Sequence, residues 1–372
     1  MKLKVLTVVG TRPEIIRLSR ILHSFDKCFD HVVVHTNQNY DKSLKDIFFR
    51  QLKIRKPKYD LKIKEKNAIN TISKILIETE KIILIEKPDA FFILGDTNSS
   101  LSAIVAKKYQ IPIFHYEAGN RCFDERVPEE VNRKIVDHIS DINLTYSSFA
   151  KENLLNEGRK SDRVIKIGSP LFEVLDYYSN QINSNKIISA LKLEHNNYFL
   201  ISFHREENVD NSIRLKKFLN IVNILATKYK KRIIISTHPR TQKKLDKLKF
   251  KINKLVTFSK PFGYFEYIKL QQSALIVISD SGSISEEASI LSLKAISLRD
   301  TQERQEAMTN ATIVMSILNK KDFFNSINIL LKDNYKIQVL DDYKQKDISL
   351  KLPRIIQSYY SFIKREVWKI NL

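Results

Sequence analysis

Charged side chains of both signs crowd the stretch from His115 to Arg133, directly after an apolar run at residues 111–114. Carboxylates and guanidinium groups transfer protons and bind anions. The ionisable members are Glu117, Arg121, Asp124, Glu125, Arg126, Glu129, Glu130 and Arg133. A solvated, salt-bridged loop is the simpler explanation. However, Gly119 lies inside the stretch, Gly95-Asp96-Thr97 ends the preceding strand, and open α/β sheets place their chemistry in such loops. We interpret the stretch as half of an active site.

A second candidate site is Asp280-Ser-Gly-Ser-Ile-Ser-Glu-Glu-Ala288, which follows a predicted strand and opens a predicted helix. The amides of Ser281-Gly282-Ser283 would face a diphosphate at the positive end of that helix. Glu286 or Glu287, one turn later, could accept hydrogen bonds from ribose hydroxyls. A capped helix with favourable dipole charges explains the same residues. The lack of a following lysine argues against a P-loop NTPase, and the lack of G-x-G-x-x-G disfavours a dinucleotide enzyme.

Two histidine motifs end predicted strands in the second half, Phe203-His204-Arg205 and Thr237-His238-Pro239-Arg240. His204 with Arg205 could serve a diphosphate or a proton transfer. The turn Gly10-Thr-Arg12-Pro-Glu14 could hold an anion on its amides and on the arginine, although a plain capped helix also explains it. We interpret His115 as a buried, structurally satisfied side chain. No residue spacing typical of a metal site occurs, so we expect no metal.

Apolar runs alternate with helical patterns in the first half of the chain, as buried parallel strands and their covering helices do. The predicted strands are Lys4–Val9, His31–His35, Ala90–Leu94, Ile111–His115, Ile142–Thr145 and Arg163–Ile167. Between them, Pro13–Ser24 and Ile69–Glu86 carry apolar residues at three- and four-residue spacing. The pattern predicts a parallel sheet covered on both faces.

The same pattern restarts after a polar, Asn-rich segment at 169–197, to which we assign a helix and a linker. The predicted strands are Tyr198–Ser202, Arg232–Thr237, Leu255–Phe258, Leu275–Ser279 and Ala295–Leu298, and the helices are Ile213–Tyr229 and Phe265–Ser273. We predict an α/β fold with two doubly wound, Rossmann-like domains over residues 1–170 and 171–351. The amphipathic segment 352–372, with the only tryptophan, Trp368, is predicted to pack back on the first domain.

The formal net charge of +21 is compatible with a nucleic-acid or acidic-membrane partner. Lysine and arginine are spread along the whole chain without a basic tail or recognition pattern, so we expect no nucleic acid. No apolar run is long enough to span a bilayer, and the short apolar start fits a buried strand better than a secretory signal. Cys28 and Cys122 form neither a disulfide framework nor a ligand spacing, so a cytoplasmic protein is expected.

An ordered set of motifs resembles the non-hydrolysing UDP-N-acetylglucosamine 2-epimerase family and covers nearly the whole chain. The motifs are Gly10-Thr-Arg-Pro-Glu14, Gly95-Asp96-Thr97, Glu117-Ala-Gly119, Pro128-Glu-Glu130 with Asn132-Arg133, His204-Arg205, Asp280-Ser-Gly282 with Glu286-Glu287, Arg299-Asp-Thr301 and Glu303-Arg304. The resemblance implies a glycosyltransferase-B-type fold with a UDP-sugar in the interdomain cleft. It also implies a homodimer that requires neither NAD nor a metal.

The resemblance further implies a mechanism. A base removes the proton on carbon 2 while UDP leaves carbon 1, which gives a 2-acetamidoglycal, and UDP returns as a proton is delivered to the opposite face. Because that proton is poorly acidic, two acid–base groups and a stabilised diphosphate are needed. By resemblance, the catalytic groups are Asp96, Glu117, Glu129 and His204. The UDP-sugar-binding groups are Arg12, Arg17, Arg121, Arg205, His238, Tyr267 (near the uracil), Ser281, Gly282, Ser283, Glu287 and Arg304.

Three departures from the family pattern indicate a branch. Arg17 stands where the family usually has lysine, which keeps the charge but changes the geometry. Thr36-Asn-Gln-Asn-Tyr-Asp41 replaces a Gln-His pattern near the site where UDP-N-acetylglucosamine activates the plain enzyme. Gly119-Asn-Arg-Cys-Phe-Asp124 replaces a Gly-Leu-Arg-Thr-Gly-Asp form. These variants resemble the branch that converts UDP-2-acetamido-2,6-dideoxy-L-talose to UDP-N-acetyl-L-fucosamine for capsule or O-antigen.

Other functions stay open at this point. The plain enzyme would make UDP-N-acetylmannosamine and retain activation by UDP-N-acetylglucosamine. A related branch converts the L-rhamno sugar to its L-quinovo epimer. A glycosyltransferase on the same scaffold is also possible because fold does not fix chemistry, and it need not exchange the hydrogen on carbon 2.

Overall fold

The computed structural model describes residues 2–37, 42–237, 239–248 and 250–370. The chain divides into two compact units: unit 1 comprises Met1–Asp176 with Asp341–Leu372, and unit 2 comprises Tyr177–Leu340. The divisions therefore fall after residues 176 and 340 instead of the expected 170 and 351. The chain rejoins unit 1 early because Asp342 already contacts it there, where its carbonyl accepts the Ser169 amide at 3.1 Å.

Each unit contains one parallel sheet. In chain order the strands are β1 Lys4–Val9, β2 Asp30–His35, β3 Tyr59–Asp60, β4 Ala90–Leu94, β5 Ile113–Tyr116, β6 Ile142–Thr145, β7 Val164–Lys166, β8 Tyr198–Ser202, β9 Arg232–Ser236, β10 Val256–Ser259, β11 Ile276–Ser279, β12 Ala295–Leu298 and β13 Val314–Ser316. Unit 1 has the order β3-β2-β1-β4-β5-β6-β7, and unit 2 has β10-β9-β8-β11-β12-β13. The strand order reverses at β1/β4 and at β8/β11, the switch points where such sheets bind ligands.

Helices connect the strands and cover the sheets. In chain order they are α1 Arg12–Cys28, α2 Lys42–Gln51, α3 Ala68–Glu86, α4 Ala103–Lys108, α5 Pro128–Ile139, α6 Ser148–Asn156, α7 Leu171–Tyr177, α8 Ser179–Asn183, α9 Ile187–Ala190, α10 Glu206–Val209, α11 Ser212–Tyr229, α12 Pro239–Leu248, α13 Tyr264–Ser273, α14 Ile284–Leu291, α15 Gln305–Thr309, α16 Lys320–Lys332 and α17 Ile348–Glu366. Short 3₁₀ turns span Asn98–Ser102 and Ser161–Arg163. None of the helices within the described ranges is long and apolar enough to traverse a bilayer.

Helix α1 begins at the switch point of unit 1. Thr11 precedes it in an extended conformation, and Pro13 lies in its first turn, where a missing amide hydrogen removes no helical bond. At the other end, the buried Phe25 packs edge to face on Phe92 of β4, with ring centroids 5.0 Å apart. The helix is thus anchored on the sheet with its N-terminus beside the ends of β1 and β4.

Successive side chains along the strands of unit 2 point to opposite faces of its sheet, so the hydrophobic core is divided between the two faces. On β8, Phe199 and Ile201 point to the face covered by α11 and α16, and Tyr198 and Leu200 point to the face covered by α13 and α14. Phe203, just after β8, stacks on Phe218 of α11 at 3.9 Å between centroids. Burial on both faces explains why these strands are nearly continuous apolar runs.

The C-terminal helix α17 packs against α1 within unit 1. Its buried positions include Leu352, Ile356 and Ile363, which follow a helical spacing. Beyond the helix, the Trp368 ring lies 4.8 Å from Lys107 Nζ of α4. The segment after residue 340 is therefore part of the N-terminal unit.

The prediction of two doubly wound parallel α/β sheets is confirmed. Strands β1, β4, β6, β8 and β12 have the predicted bounds. β5 begins two residues later than predicted because Pro112 has no amide hydrogen for the ladder. The sequence does not predict β3 and β13, since runs of two or three residues leave no periodic pattern. Segment 169–197 contains α7, α8 and α9 in place of one helix and a linker.

Two glycines of unit 1 allow a test of how the returning segment is held. Both have left-handed backbone, with φ +82 at Gly158 and +92 at Gly168. A Cβ added at Gly158 meets nothing within 4 Å, whereas one at Gly168 would lie 2.2 Å from Gln345 Cγ and 3.0 Å from the Asp342 carbonyl. Alanine costs about 1 kcal/mol at either position through backbone strain.

We therefore expect Gly168→Ala to lower the free energy of unfolding by at least about twice as much as Gly158→Ala, because only the first must also displace the returning segment. Urea titrations of the two variants beside the parent protein measure the difference. Equal losses would show that Gln345 and its neighbours move aside freely.

Candidate functional site

Glu14 joins the two loops that flank the switch point of unit 1. Its carboxylate is 3% exposed. It accepts the Gly10 amide at 2.6 Å and the hydroxyls of Thr11 and Thr97 at 2.9 Å each. Because Thr97 directly follows Asp96, the turns after β1 and β4 share one acceptor. The Gly10 amide is already engaged and is not offered to an anion, contrary to the expectation from sequence.

Asp96 follows β4 and is held by Arg133 of α5. The Nε atom of Arg133 lies 3.0 Å from Asp96 Oδ2, and a terminal nitrogen of the same guanidinium contacts the same oxygen. Asn132 donates its side-chain amide to the Asp96 carbonyl at 2.9 Å. The Asp96 side chain keeps 25% of its surface exposed. The carboxylate is thus fixed in direction and still reachable.

Glu117 faces the backbone beside Asp96. Its φ of 71° is left-handed, which is unusual for a residue with a side chain. Its amide donates to the Leu144 carbonyl at 3.0 Å, and its Oε2 accepts the Tyr146 hydroxyl at 3.2 Å. A Cβ added at Gly95 would lie 3.9 Å from that Oε2. The structure therefore brings Glu117 next to the residue that precedes Asp96, and backbone strain of this kind is typical of functional sites.

The two glutamates at the start of α5 differ in environment. Glu129 is half-buried, whereas Glu130 is fully buried. Glu130 accepts the amides of Cys122 and Phe123 at 3.1 Å each and pairs with Arg133 at 2.6 Å. Burial alone would raise the pKa of Glu130, but the Cys122 amide and the Arg133 charge hold it below its usual value. Glu130 therefore shapes the loop, and Glu129 is the more accessible of the two.

Arg121 does not point to a substrate. Its side chain is fully buried, with one nitrogen 2.7 Å from Asp137 Oδ2 and two others 2.7 and 2.6 Å from the Glu157 carboxylate. A guanidinium shielded from solvent and shared by two carboxylates cannot reach a ligand, so the expected substrate contact is wrong. His115 is fully buried, as predicted, and Arg17 of α1 is also buried.

In unit 2 a buried carboxylate organises the first histidine motif. Asp280 follows β11, is 0% exposed, and accepts the amides of His204 and Arg205 at 3.0 Å and the Asn208 side-chain amide at 3.1 Å. Its Oδ1 lies 3.1 Å from His204 Nδ1. Although burial alone would raise the pKa of Asp280, the His204 imidazole and these donors keep it low. The His204 ring is 40% exposed and stands at the switch point of the sheet.

The turn from Ser281 to Ser283 opens α14 beside Asp280. The hydroxyls of Ser281 and Ser283 lie 3.0 Å apart. Any Cβ on Gly282 would come within 2.4 Å of Glu303 Oε1, so this position accepts only glycine without a shift of its neighbour. The Ser281 amide donates to Ser279 Oγ at 3.1 Å and the Ser283 amide to Ser281 Oγ at 3.4 Å, so a phosphate group bound at this helix N-terminus would take the place of these hydroxyl acceptors.

Both glutamates of α14 are buried and engaged by other side chains. Glu286 is fully buried and pairs with Arg304, whereas Glu287 accepts the Gln271 side chain at 2.6 Å. Burial, and to a lesser extent the charge of Glu287, raise the pKa of the Tyr267 hydroxyl. Arg304 is thus engaged by Glu286 behind the turn.

Two further ligand groups predicted from the sequence are Arg12 and His238. The Arg12 guanidinium, at the start of α1, lies 5.8 Å from the centre of the Phe48 ring. His238 lies outside the described residues. In the part of the chain that the structure describes, no group of three or more His, Cys, Asp or Glu side chains could hold a metal ion.

Sequence reasoning missed Asp137 and Tyr146. Asp137 lies seven residues after Glu130 and four after Arg133, a spacing that puts all three on one helix face. That spacing was the available signal for Asp137. Tyr146 follows β6 and contacts Glu117, and nothing in its local sequence marks it.

Two parallel sheets, each with polar groups at its switch point, define an α/β enzyme of the glycosyltransferase-B-like class. A glycosyltransferase of kitacinnamycin biosynthesis has a similar fold, with a TM-score of 0.59 at 9% identity over 96% of this chain and 99% of that one. Residues 23–356 match the family described as UDP-N-acetylglucosamine 2-epimerase.

Individual members of this family are also similar to the chain in sequence and structure. It is 41% identical to the UDP-N-acetylglucosamine 2-epimerase of Rickettsia bellii, whose structure gives a TM-score of 0.93 over 100% of both chains. It is 38% identical over 348 residues to the Methanocaldococcus jannaschii enzyme of that name, covering 90% of this chain and 94% of the relative. A structure of the M. jannaschii enzyme with UDP-GlcNAc and UDP gives a TM-score of 0.89 at 36% identity over 95% and 99% of the two chains.

A further relative is named for a different UDP-sugar. The Pseudomonas aeruginosa UDP-2,3-diacetamido-2,3-dideoxy-D-glucuronate 2-epimerase is 33% identical over 312 residues, or 82% of this chain and 86% of the relative. The chain therefore belongs to the UDP-N-acetylglucosamine 2-epimerase family. It is a UDP-sugar 2-epimerase, an isomerase.

The buried Glu14 predicts a pH dependence of stability. Burial raises its pKa from 4.5 to about 7, against the hydrogen bonds from Gly10, Thr97 and Thr11. Between these values the folded protein binds more protons than the unfolded chain, so the contribution is fully present below about pH 4.5 and is lost as the pH rises through 7. From pH 5 to pH 8, we expect the free energy of unfolding to fall by about 2 to 3 kcal/mol more in the parent than in Glu14→Gln.

Urea titrations at several pH values measure this difference, with the exposed Glu152→Gln as the control for loss of a surface carboxylate. Parallel curves for the parent and Glu14→Gln would refute the prediction.

Proposed function

We propose that this epimerase inverts carbon 2 of a UDP-2-acetamido-2,6-dideoxy-L-hexose and converts the L-talo form to UDP-N-acetyl-L-fucosamine for capsule or O-antigen synthesis. The acid–base chemistry is supported by one observation above all: the carboxylate of Glu117 faces the residue before Asp96, and Arg133 fixes the Asp96 carboxylate. The choice of sugar is supported by the sequence departures at Arg17, at 36–41 and at 119–124. Residues 38–41 lie outside the described ranges.

The carboxylates of unit 1 would carry the proton steps. A carboxylate takes the proton from carbon 2, a double bond forms between carbons 1 and 2, and the bond from carbon 1 to oxygen breaks with its electron pair leaving on UDP. UDP then adds back to carbon 1 while a second group delivers a proton to the other face of carbon 2. Asp96, Glu117 and Glu129 are the candidates for the two roles, and carboxylates positioned this way contribute about 10²–10⁴-fold each.

The polar groups of unit 2 would hold UDP. We assign the diphosphate to the amides of Ser281, Gly282 and Ser283, where a helix N-terminus stabilises the negative charge that develops as UDP leaves. Glu287 would accept from the ribose hydroxyls. His204, kept in place by the ionised Asp280, would contact the diphosphate or donate a proton to it.

The other predicted ligand groups are assigned to the nucleoside and to the charged part of UDP. By resemblance, Tyr267 would lie near the uracil. Arg205 would add positive charge beside the diphosphate. Arg12, Arg17 and His238 stay predicted ligand groups of the UDP-sugar by the same resemblance. Arg304 would act through Glu286, with which it pairs.

A second candidate is the conversion of UDP-N-acetylglucosamine to UDP-N-acetylmannosamine. It is favoured by the names of the R. bellii and M. jannaschii relatives and by the UDP-GlcNAc bound to the latter. The L-rhamno to L-quinovo conversion would use the same groups. The resemblance also implies a homodimer, and the cysteine usage fits the cytoplasm. Sedimentation of the purified chain at the mass of a monomer would contradict the dimer.

Proton NMR in deuterated water tests the substrate, with UDP-N-acetylglucosamine and UDP-N-acetyl-L-fucosamine in separate tubes. We expect the signal of the hydrogen on carbon 2 to disappear and a new epimer to form only in the L-fuco tube, because proton return from solvent accompanies each inversion. Exchange only in the gluco tube would establish the second candidate instead. No exchange in either tube, nor with the L-rhamno sugar, would refute the epimerase proposal for these substrates.

The three carboxylates form a second test. We expect Asp96→Asn, Glu117→Gln and Glu129→Gln each to reduce turnover by at least about 100-fold, because an amide cannot exchange the proton on carbon 2. Circular dichroism should show an unchanged fold. Glu125→Gln is the matched control, since this side chain of the same loop is 78% exposed. Full turnover in all three site variants would remove them from the mechanism.

A further inference from the structure

A buried carboxylate behind the candidate site collects donors from three directions. Asp137 of α5 is 0% exposed and accepts the Gly119 amide at 3.2 Å, a nitrogen of Arg121 at 2.7 Å, and lies 2.8 Å from Nδ1 of His115. Burial alone would raise the pKa of Asp137, but its contacts with His115 and Arg121 hold it below its usual value. Asp137 is therefore an ionised acceptor of the Gly119 amide and of the Arg121 guanidinium.

His115 carries this link from Asp137 to the other loop. Its ring is 0% exposed, and its second nitrogen, Nε2, lies 2.9 Å from the Gly95 carbonyl. A carbonyl oxygen only accepts, so Nε2 donates to it, and Nδ1 faces the Asp137 carboxylate at 2.8 Å. Close polar contacts thus run from α5 through the imidazole to the peptide that enters Asp96.

The same carboxylate fixes the loop after β5. Gly119 follows Glu117 by two residues, has φ +83, and would place a Cβ 2.1 Å from the Ala150 carbonyl. Its amide is held by Asp137, and its carbonyl accepts the Asn153 side chain at 3.0 Å. Asp137 therefore restrains the backbone before Asp96, through His115 and Gly95, and the backbone after Glu117, through the Gly119 amide.

We propose that His115 is a positioning residue that, through its hydrogen bond to the Gly95 carbonyl, sets the direction of the Asp96 carboxylate relative to Glu117. This inference rests on the proposed function, because it assigns those two carboxylates to the reaction. A misplacement of about 1 Å between reacting groups can cost about 100-fold in rate, so a link through the peptide at Gly95 affects turnover more than binding.

Two substitutions of His115 separate its contact with Asp137 from its hydrogen bond to the Gly95 carbonyl. Counting bonds from Cβ, the amide nitrogen of asparagine reaches the place of Nδ1, and that of glutamine reaches the place of Nε2. His115→Asn therefore keeps the contact with Asp137 and loses the hydrogen bond to Gly95. His115→Gln keeps the hydrogen bond to Gly95 and loses the contact with Asp137. We expect kcat to fall at least about 30-fold in His115→Asn and less than about 5-fold in His115→Gln, with KM within about 3-fold of the parent in both.

The measurements are steady-state kinetics with the UDP-sugar that the NMR experiment selects, and melting temperatures of both variants. His195→Asn, an exposed histidine of unit 2, is the matched control and should retain the parent kcat. If the role of His115 is confined to stability, the losses in kcat will follow the melting temperatures. Equal losses of kcat in His115→Asn and His115→Gln, or no loss in either variant, would overturn the inference. If His115→Asn does not fold, a loss of 30-fold or more in His115→Gln overturns it alone.

Parallel assays of Asp96→Asn and Glu117→Gln separate this inference from the function on which it rests. If both retain full turnover, the proposed site fails together with its positioning residue. If both are inactive while His115→Asn equals the parent, only the positioning role fails.

Discussion

Charges buried on one face of α5 must be neutralised, and this requirement shapes unit 1 around the candidate site. Glu130, Arg133 and Asp137 follow one another at helical spacing with exposures of 0, 4 and 0%. An unpaired buried charge costs several kcal/mol, so the loops after β4 and β5 must supply partners. Asp96 meets Arg133, and Arg121 meets Asp137. The position of the Asp96 carboxylate is thus a consequence of charge pairing with the core.

Both sheets use a buried carboxylate to join loops across their switch points. In unit 1, Glu14 accepts the Gly10 amide after β1 and the Thr97 hydroxyl after β4. In unit 2, Asp280 after β11 accepts the His204 amide after β8. Backbone amides at these loop ends would otherwise lack partners, and a short acidic side chain satisfies several at once. The arrangement leaves one side of each switch point for a ligand, the place where such sheets bind theirs.

The sequence predicts the sheets well because continuous apolar runs are a local property of buried parallel strands. It also locates the charged loops, since their composition is visible without coordinates. It does not show which charge meets which, because pairing depends on residues distant in the chain. Arg121 and Glu129 illustrate this: both lie in the same acidic and basic stretch, yet one is sealed between Asp137 and Glu157 and the other is half-exposed. Asp137 itself reads as an ordinary helical residue until its neighbours are known.

The place of Trp368 has an optical consequence. It is the only tryptophan of the chain and belongs to unit 1, where Lys107 approaches its ring. Lys107 is itself paired with Asp141, whose carboxylate also accepts the amide of Ile113 at the start of β5. Indole emission therefore comes from one half of the molecule. The tryptophan fluorescence of this chain, excited apart from its tyrosines, is a built-in reporter on the unit that carries Asp96 and Glu117, and it does not report local unfolding of the unit that carries His204.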